Sequence, residues 1–328
     1  MSTRRSASEC FGALSAVLLV GALLIASACK SSSETAKIQD IYVTQYVSNA
    51  TPGAVSVFPL TATGDVAPSN TISGASTGLD DAHASAFDSS GNIYVTNNDN
   101  SSVTVYAPSA IGDASPTATI IGAATGIDGP NGIALDSHNN IYVSNNGNST
   151  VTVFAAGATG NATPMATISG AATGLDEPHG LALDSSGKIY VANYGNNSIT
   201  VYAAGATGNA TPVATISGAA TGLAVPHGMT LDSAGNIYVS NAENNSLTVY
   251  AAGSNGNATP MATISGAATG LNHPNGIAVD AHNNIYVANN GAMSVTIYAA
   301  GANGNVAPTA TISGAMTGFI DLHGVTVH

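Results

Sequence analysis

The segment Pro178-His179-Gly180-Leu181-Ala182-Leu183-Asp184-Ser185-Ser186-Gly187-Lys188-Ile189-Tyr190-Val191-Ala192-Asn193 sets the architecture. Gly180 to Asp184 reads as one strand, here strand A. Ser185 to Lys188 is a turn, with Gly187 suited to positive φ. Ile189 to Asn193 is strand B. Both strands are apolar on both faces, so both are covered on both sides. The loop 194–197 leads to strand C, Ser198 to Tyr202, and a longer loop leads to strand D, Val213 to Ser217. Strands C and D alternate with Thr and Ser, so polarity rises outward across the sheet, as it does in a radial blade. The unit recurs. Ile-Tyr-Val stands at Ile41, Ile93, Ile141, Ile189, Ile237 and Ile285, spaced by 52 residues once and by 48 thereafter. The extra four residues fall in the loop 46–53. A period of this length signals a solenoid or a propeller.

The two ends of the repeat array separate those alternatives. The array enters at strand B, Ile41-Tyr42-Val43, and leaves after strand A, Gly324-Val325-Thr326-Val327-His328. Each strand type then occurs six times. The late strand A completes the blade whose other strands are N-terminal, which closes a ring and removes a free edge. The expected fold over residues 38–328 is therefore all-β: a six-bladed β-propeller of four-stranded blades, its ring closed by the C-terminal strand.

Composition agrees and limits the partners. Charged residues make up only 7% of the chain and Trp is absent. The N-terminus reads as a targeting segment. Arg4 and Arg5 precede an apolar run from Phe11 to Ala28, then Ala26-Ser27-Ala28 and Cys29. Small residues before a cut suit a signal peptidase. Cys29 as first mature residue resembles a bacterial lipobox, with Ala26 where Leu is usual. Residues 1–28 are then a signal peptide, 29–37 a tether, and Cys29 a lipid attachment point to the membrane. Secretion without lipid and an uncleaved anchor are the alternatives. All three place the domain outside the cytoplasm. Without residues 1–28 the chain keeps three Lys, no Arg and 17 acidic residues, a net charge of −14. Such a surface repels phosphate backbones, which excludes nucleic acid and leaves protein, glycan or cationic ligands. No Cys follows Cys29, so the domain relies on its own core rather than on disulfides. A closed ring is expected to be monomeric.

The segment Tyr94-Val95-Thr96-Asn97 spells the motif of the YVTN propeller repeats. Pro178-His179-Gly180-Leu181-Ala182-Leu183-Asp184, followed by Gly187 and Ile189-Tyr190-Val191, is similar to the NHL repeat. The resemblance covers residues 38–328. It implies the propeller fold, and it implies little about activity, because propellers of this kind include binding scaffolds, lyases and lactonases.

Residues that recur in every blade are structural. Asp88, Asp136, Asp184, Asp232 and Asp280 are placed to cap the turn between strands A and B. Asn97, Asn145, Asn193, Asn241 and Asn289 end strand B. Function is sought where blades differ. Strand A opens with His323, His83, Asn131, His179, His227 and Asn275 around the ring. These face the top of the channel, the end shared by the D-to-A and B-to-C loops. Opposed blades would set His323 against His179, His83 against His227 and Asn131 against Asn275. The ring is a candidate site for a ligand or a divalent metal such as Zn²⁺ or Ca²⁺; the bland reading is a set of turn residues. Above it stand Asp80, Asp81, Asp128, Asp176, Glu177 and Asp321, with Asp99 and Glu243 in B-to-C loops. This rim is either solvated loop charge or a cation funnel.

The resemblance also bears on catalysis. The amidating lyases of this fold imply three His from different blades and a catalytic Arg. Alternate blades here give His83, His179 and Asn275, and the mature chain has no Arg. Lactonase-type propellers imply a metal-bound Glu, and no strand A opens with Glu. No nucleophile elbow, His-Glu-x-x-His or phosphate loop is present. The expected role is a binding or interaction scaffold, with a metal-dependent lyase or hydrolase as the alternative.

Overall fold

The computed structural model describes residues 39–47 and 53–328. Residues 1–38, which include the expected signal peptide 1–28 and tether 29–37 with Cys29, and residues 48–52 of the inserted loop lie outside the described residues. Six four-stranded antiparallel sheets follow one another. Blade 1 is built from Asp321–Val327, Asp40–Tyr46, Ala54–Pro59 and Asn70–Ser73, in that order from the axis. Blade 4 contains Pro178–Leu183, Ile189–Asn193, Ser198–Tyr202 and Ala214–Ile216. The inner strands of blades 2, 3, 5 and 6 are Ala82–Phe87, Pro130–Leu135, Pro226–Leu231 and Pro274–Val279. The six-bladed propeller with a composite first blade is thus the fold. No helix among the described residues is long and apolar enough to cross a membrane.

The core lies between blades. Tyr190, Ile199, Val201 and Ile216 of blade 4 pack with Met229, Ile237, Val239 and Tyr250 of blade 5. Each sheet buries both faces this way, which is why strand B and the Ile, Val and Tyr positions of strand C are apolar. The polarity gradient needs one correction. Strand C of blade 4 is buried throughout, and its Thr is buried with it: Thr200 accepts a hydrogen bond from Asn193 Nδ2 at 3.1 Å. Hydroxyls on that strand satisfy a buried amide rather than face water.

Around the axis neighbouring inner strands nearly touch. A Cβ on Gly180 would lie 2.7 Å from the carbonyl oxygen of His227 and from the amide of Met229, so glycine is required by the close approach of two backbones. A hydroxyl from strand B pins this approach in four blades. Thr44, Thr96, Ser144 and Ser240 donate to the carbonyls of His83, Asn131, His179 and Asn275 in the next blade.

Strand A begins two residues earlier than the sequence pattern suggested, at Pro178 rather than Gly180, and the difference matters. Pro can open a strand because no ladder bond needs its nitrogen. Pro178 pairs with Asn193 and Leu181 with Val191, so the inner strand carries one extra residue between them. The same bulge recurs in blades 2, 3, 5 and 6, and His323 is the unpaired residue in blade 1.

The ring closes through Ile41, Tyr42, Val43 and Thr44, which pair with Val327, Thr326, Val325 and Gly324. Leu322 and Val325 are buried against Val295, Ile297 and Ile312 of blade 6. Deleting residues 321–328 removes the inner strand of blade 1 and those two side chains, each contributing about 2 kcal/mol of burial, and exposes an apolar strand edge. The truncated protein is expected to lose its cooperative thermal transition and to aggregate, measured by calorimetry and light scattering. A melt equal to that of the intact chain would contradict this account of closure.

Candidate functional site at the channel mouth

A bulge re-aims the side chain of its extra residue. Here the bulge holds His323, His83, Asn131, His179, His227 or Asn275 in turn. All six line a channel of about 420 Å³ whose walls are the six inner strands. Below the ring the walls turn apolar, with Leu135, Leu181, Leu183 and Leu231 among the lining residues. The two Asn separate two pairs of adjacent His, so the ring has an approximate two-fold pattern.

The imidazoles meet their neighbours around the circle. His83 stacks on His323, with ring centroids 4.0 Å apart and planes inclined by 17°. His179 meets His227 edge to face at 4.3 Å, with Nδ1 atoms 3.3 Å apart. The opposed pairing expected from blade number gives way to this lateral pairing, because inner strands crowd together around the axis.

The first pair is held by Asp81, whose two oxygens lie 3.3 Å from His83 Nε2 and 3.1 Å from His323 Nε2. Asp81 sits at φ 52°, a left-handed conformation that Asp tolerates and that turns its carboxylate inward. Burial alone would raise the Asp81 carboxyl, but the imidazoles of His323 and His83 beside its two oxygens outweigh burial and hold it well below its ordinary value. Burial pushes His83 down, and the charge of His323 acts in the same direction. Asp321 Oδ1 lies 3.7 Å from His323 Nε2 and accepts a hydrogen bond from Asn290. Two groups at this end are under-satisfied: Asn275 Oδ1 and both ring nitrogens of His323 are buried without a hydrogen-bond partner of good geometry.

The second pair has no carboxylate. His179 Nε2 lies 2.9 Å from Asn146 Nδ2, so that nitrogen is an acceptor and the ring is neutral. Tyr194 stacks on His179 at 4.8 Å. Burial, with the charges of His83 and His323 adding to it, pushes His179 down to about 3. Burial and His179 hold His227 well below its ordinary value. Asn131 accepts from Asn98 Nδ2 at 2.9 Å, and Asn275 donates to the carbonyl of Leu322 at 3.1 Å.

The rest of the acidic rim stays in the loops. Asp128, Glu177, Asp99 and Glu243 are exposed, while Asp80 and Asp176 are half-buried. Only Asp81 and Asp321 reach the ring. The Asp that ends strand A caps its turn as expected: Asp184 Oδ1 accepts from the amides of Ser186 and Lys188, both at 2.9 Å. The Asn that ends strand B is wholly internal; Asn193 Oδ1 accepts from the amide of Asp176.

Sequence reasoning passed over Asn98, Asn146, Tyr194 and Asn290. They share one position of the repeat, just after the buried strand B Asn, and Ala242 occupies it in blade 5. Variation between blades marks them as it marks the ring, and three of them touch a ring side chain while Asn290 reaches Asp321.

Residues 30–261 match the family model described as lactonase, seven-bladed β-propeller. The chain belongs to this lactonase propeller family. Its described residues form six blades rather than seven. Residues 271–298 also match the NHL repeat. No curated protein matches the sequence. A chain in the nidogen/laminin complex is similar over 88% of this chain and 98% of its own, at 17% identity and a TM-score of 0.63. A protein of unknown function from Bacteroides caccae is similar over 88% and 98%, at 10% identity and a TM-score of 0.62. Catalytically inactive virginiamycin B lyase from Staphylococcus aureus with quinupristin is similar over 80% and 82%, at 12% identity and a TM-score of 0.52. At these identities the likeness is one of fold.

The second imidazole pair gives this lactonase-family propeller a pH dependence. His179 and His227 take up protons in the unfolded chain near 6.5, but in the folded chain only at far lower pH. The unfolded state therefore binds more protons below 6.5, and stability falls as pH drops toward 3. Each ring takes stability from the fold as pH falls below 6.5, His179 down to about 3. Melting temperature is expected to hold steady from pH 8 to 7 with respect to these groups and to fall from pH 6 to 4. His227→Asn, the residue blades 3 and 6 already use, should flatten that fall. An equal slope in wild type and variant would mean that His227 remains free to protonate in the folded ring.

Proposed function

We propose that the protein is an exported binding propeller that takes a small polar ligand at the mouth of its channel and performs no reaction on it. The observation that carries this reading is the under-satisfied set at the head of an open channel, Asn275 Oδ1 and the two nitrogens of His323. A buried polar atom without a partner costs about 1–3 kcal/mol, and a ligand that supplies the partner recovers that cost. Most other polar groups of the ring are engaged with one another: His179 with Asn146 and His227, Asn131 with Asn98. A ring so engaged serves to orient a ligand. The mature sequence offers no Arg to stabilise a developing anion.

The test is a crystallographic soak of small polar fragments, together with turnover assays on a panel of aliphatic lactones. Fragments are expected to settle against Asn275 and His323, with lactone opening no faster than in buffer. Fragments found only on the outer surface would overturn the binding reading. Lactone opening that is saturable and lost in His323→Asn would replace the scaffold with the hydrolase alternative.

We further propose that Cys29 is lipidated and tethers the propeller to a membrane, presenting the closed ring as a monomer outside the cytoplasm. The support is the run Phe11 to Ala28 followed by Cys29 and the polar residues 30–33. One acyl signal alone binds weakly, so stable attachment requires the several chains of a lipoprotein anchor. Cys29→Ser is expected to move the protein from the membrane fraction to the soluble fraction or to block its processing. Unchanged membrane association would favour an uncleaved anchor.

A further inference from the structure

We propose that Asp81, His83 and His323 form a binding site for one first-row divalent transition metal ion, at the corner of the ring where blades 1 and 2 meet. The proposal rests on reading the channel mouth as the binding end of the molecule, and it names the ligand class for one part of it.

Each imidazole nitrogen already lies at a metal-site distance from one oxygen of the shared carboxylate. An ion with bonds of about 2.0–2.1 Å holds tetrahedral donors roughly 3.3 Å apart and neighbouring octahedral donors roughly 2.9 Å apart. The carboxylate oxygens of Asp81 lie 3.3 Å from His83 Nε2 and 3.1 Å from His323 Nε2. One donor atom from each of the three residues falls within 4.8 Å of the others. The two imidazoles are stacked nearly parallel, so both present Nε2 on the side of the same carboxylate.

A carboxylate bridging two imidazoles could also be a plain hydrogen-bonded triad. His323 argues against that. Its Nε2 lies 3.1 Å from Asp81 yet makes no hydrogen bond of good geometry, and its Nδ1 has no partner either. An imidazole nitrogen that makes no hydrogen bond is available to ligate a metal through its lone pair. The three donors also come from rigid pieces of the fold. Each His lies in a bulge of its inner strand, and Asp81 is fixed in the left-handed region. Asp321, held by Asn290 and 3.7 Å from His323 Nε2, adds a second carboxylate beside the site. It can accept from a metal-bound water.

Two nitrogens and one oxygen select against Ca²⁺ and Mg²⁺, which favour all-oxygen shells, and select for Zn²⁺, Co²⁺ or Ni²⁺. Three protein donors leave at least one coordination position, and the site borders the channel. Such a position is where an exchangeable ligand would attach.

The test uses the mature protein after chelator treatment and dialysis. Zn²⁺ and Ca²⁺ are titrated by calorimetry, and Co²⁺ is followed by its visible absorption. One Zn²⁺ per chain is expected, with no competition from Ca²⁺. Asp81→Asn and His323→Asn should each weaken Zn²⁺ binding on the order of 100-fold or more. Asn suits both positions, being at home in the left-handed region and already present in the ring at Asn131 and Asn275. Melting curves of each variant identify any unfolding. If one variant unfolds, the Co²⁺ spectrum of wild type still decides, because nitrogen and oxygen ligation gives a signature that hydrated Co²⁺ lacks. Absence of Zn²⁺ binding would overturn the metal site. Fragments bound at the ring in the same protein would leave the binding reading standing, and their absence would remove both. Equal weakening by His227→Asn would move the ion to the axis and overturn this assignment.

Discussion

In five of the six blades, neighbouring inner strands come so close around the axis that no side chain fits between their backbones, and the molecule depends on that approach. Gly180 has no room for a Cβ against the backbone of blade 5, and Gly132, Gly228, Gly276 and Gly324 stand in the same position of their blades. Strand B hydroxyls then bridge from one blade to the ring carbonyl of the next. Wider spacing would break those bonds, part the interleaved cores and leave the bulged residues too far apart to touch. Blade 2 carries Ala84 in place of the glycine, so the constraint is not equally strict everywhere.

A second set of blade-to-blade contacts works farther from the axis. Asn161, Asn209, Asn257 and Asn305 each accept a hydrogen bond from a backbone amide of the preceding blade, as does Asp113. Asp65 does the same for Met316 across the closure between blades 6 and 1. The ring is therefore fastened at both radii. Closure uses the same devices as every other junction and adds an ordinary antiparallel ladder.

Such repetition makes the departures informative. A repeat that needs only to close would place one residue type at each bulge. Here the ring alternates two His pairs with single Asn residues, and one pair alone has a carboxylate turned toward it. The two pairs accordingly differ in chemistry. The pair on blades 4 and 5 is buried against Tyr194 and Asn146 and is kept neutral by desolvation. The pair on blades 1 and 2 lies against an anionic carboxylate. In a molecule built from nearly identical units, that asymmetry marks where a ligand would be distinguished from solvent.

The sequence by itself determined the period, the four strands of each blade, the six blades and the closing strand. These follow from short-range patterns, apolar alternation and Gly turns written out every 48 residues, so each can be read within one unit. The same reasoning placed His83, His179, His227 and His323 at one end of the channel, because strand order fixes which loops share a face. Only the tertiary structure decided how those side chains meet. A one-residue bulge turned them inward, and its presence depends on pairing between strands A and B rather than on local composition. Asp81 was legible as one acid of a rim but not as the partner of His83 and His323. That contact joins a loop near the start of the array to a strand at its end, and it forms only when the ring is closed. The lateral pairing of imidazoles has the same origin: blade number predicts which residues are opposite, while the packing distance between inner strands decides which ones touch.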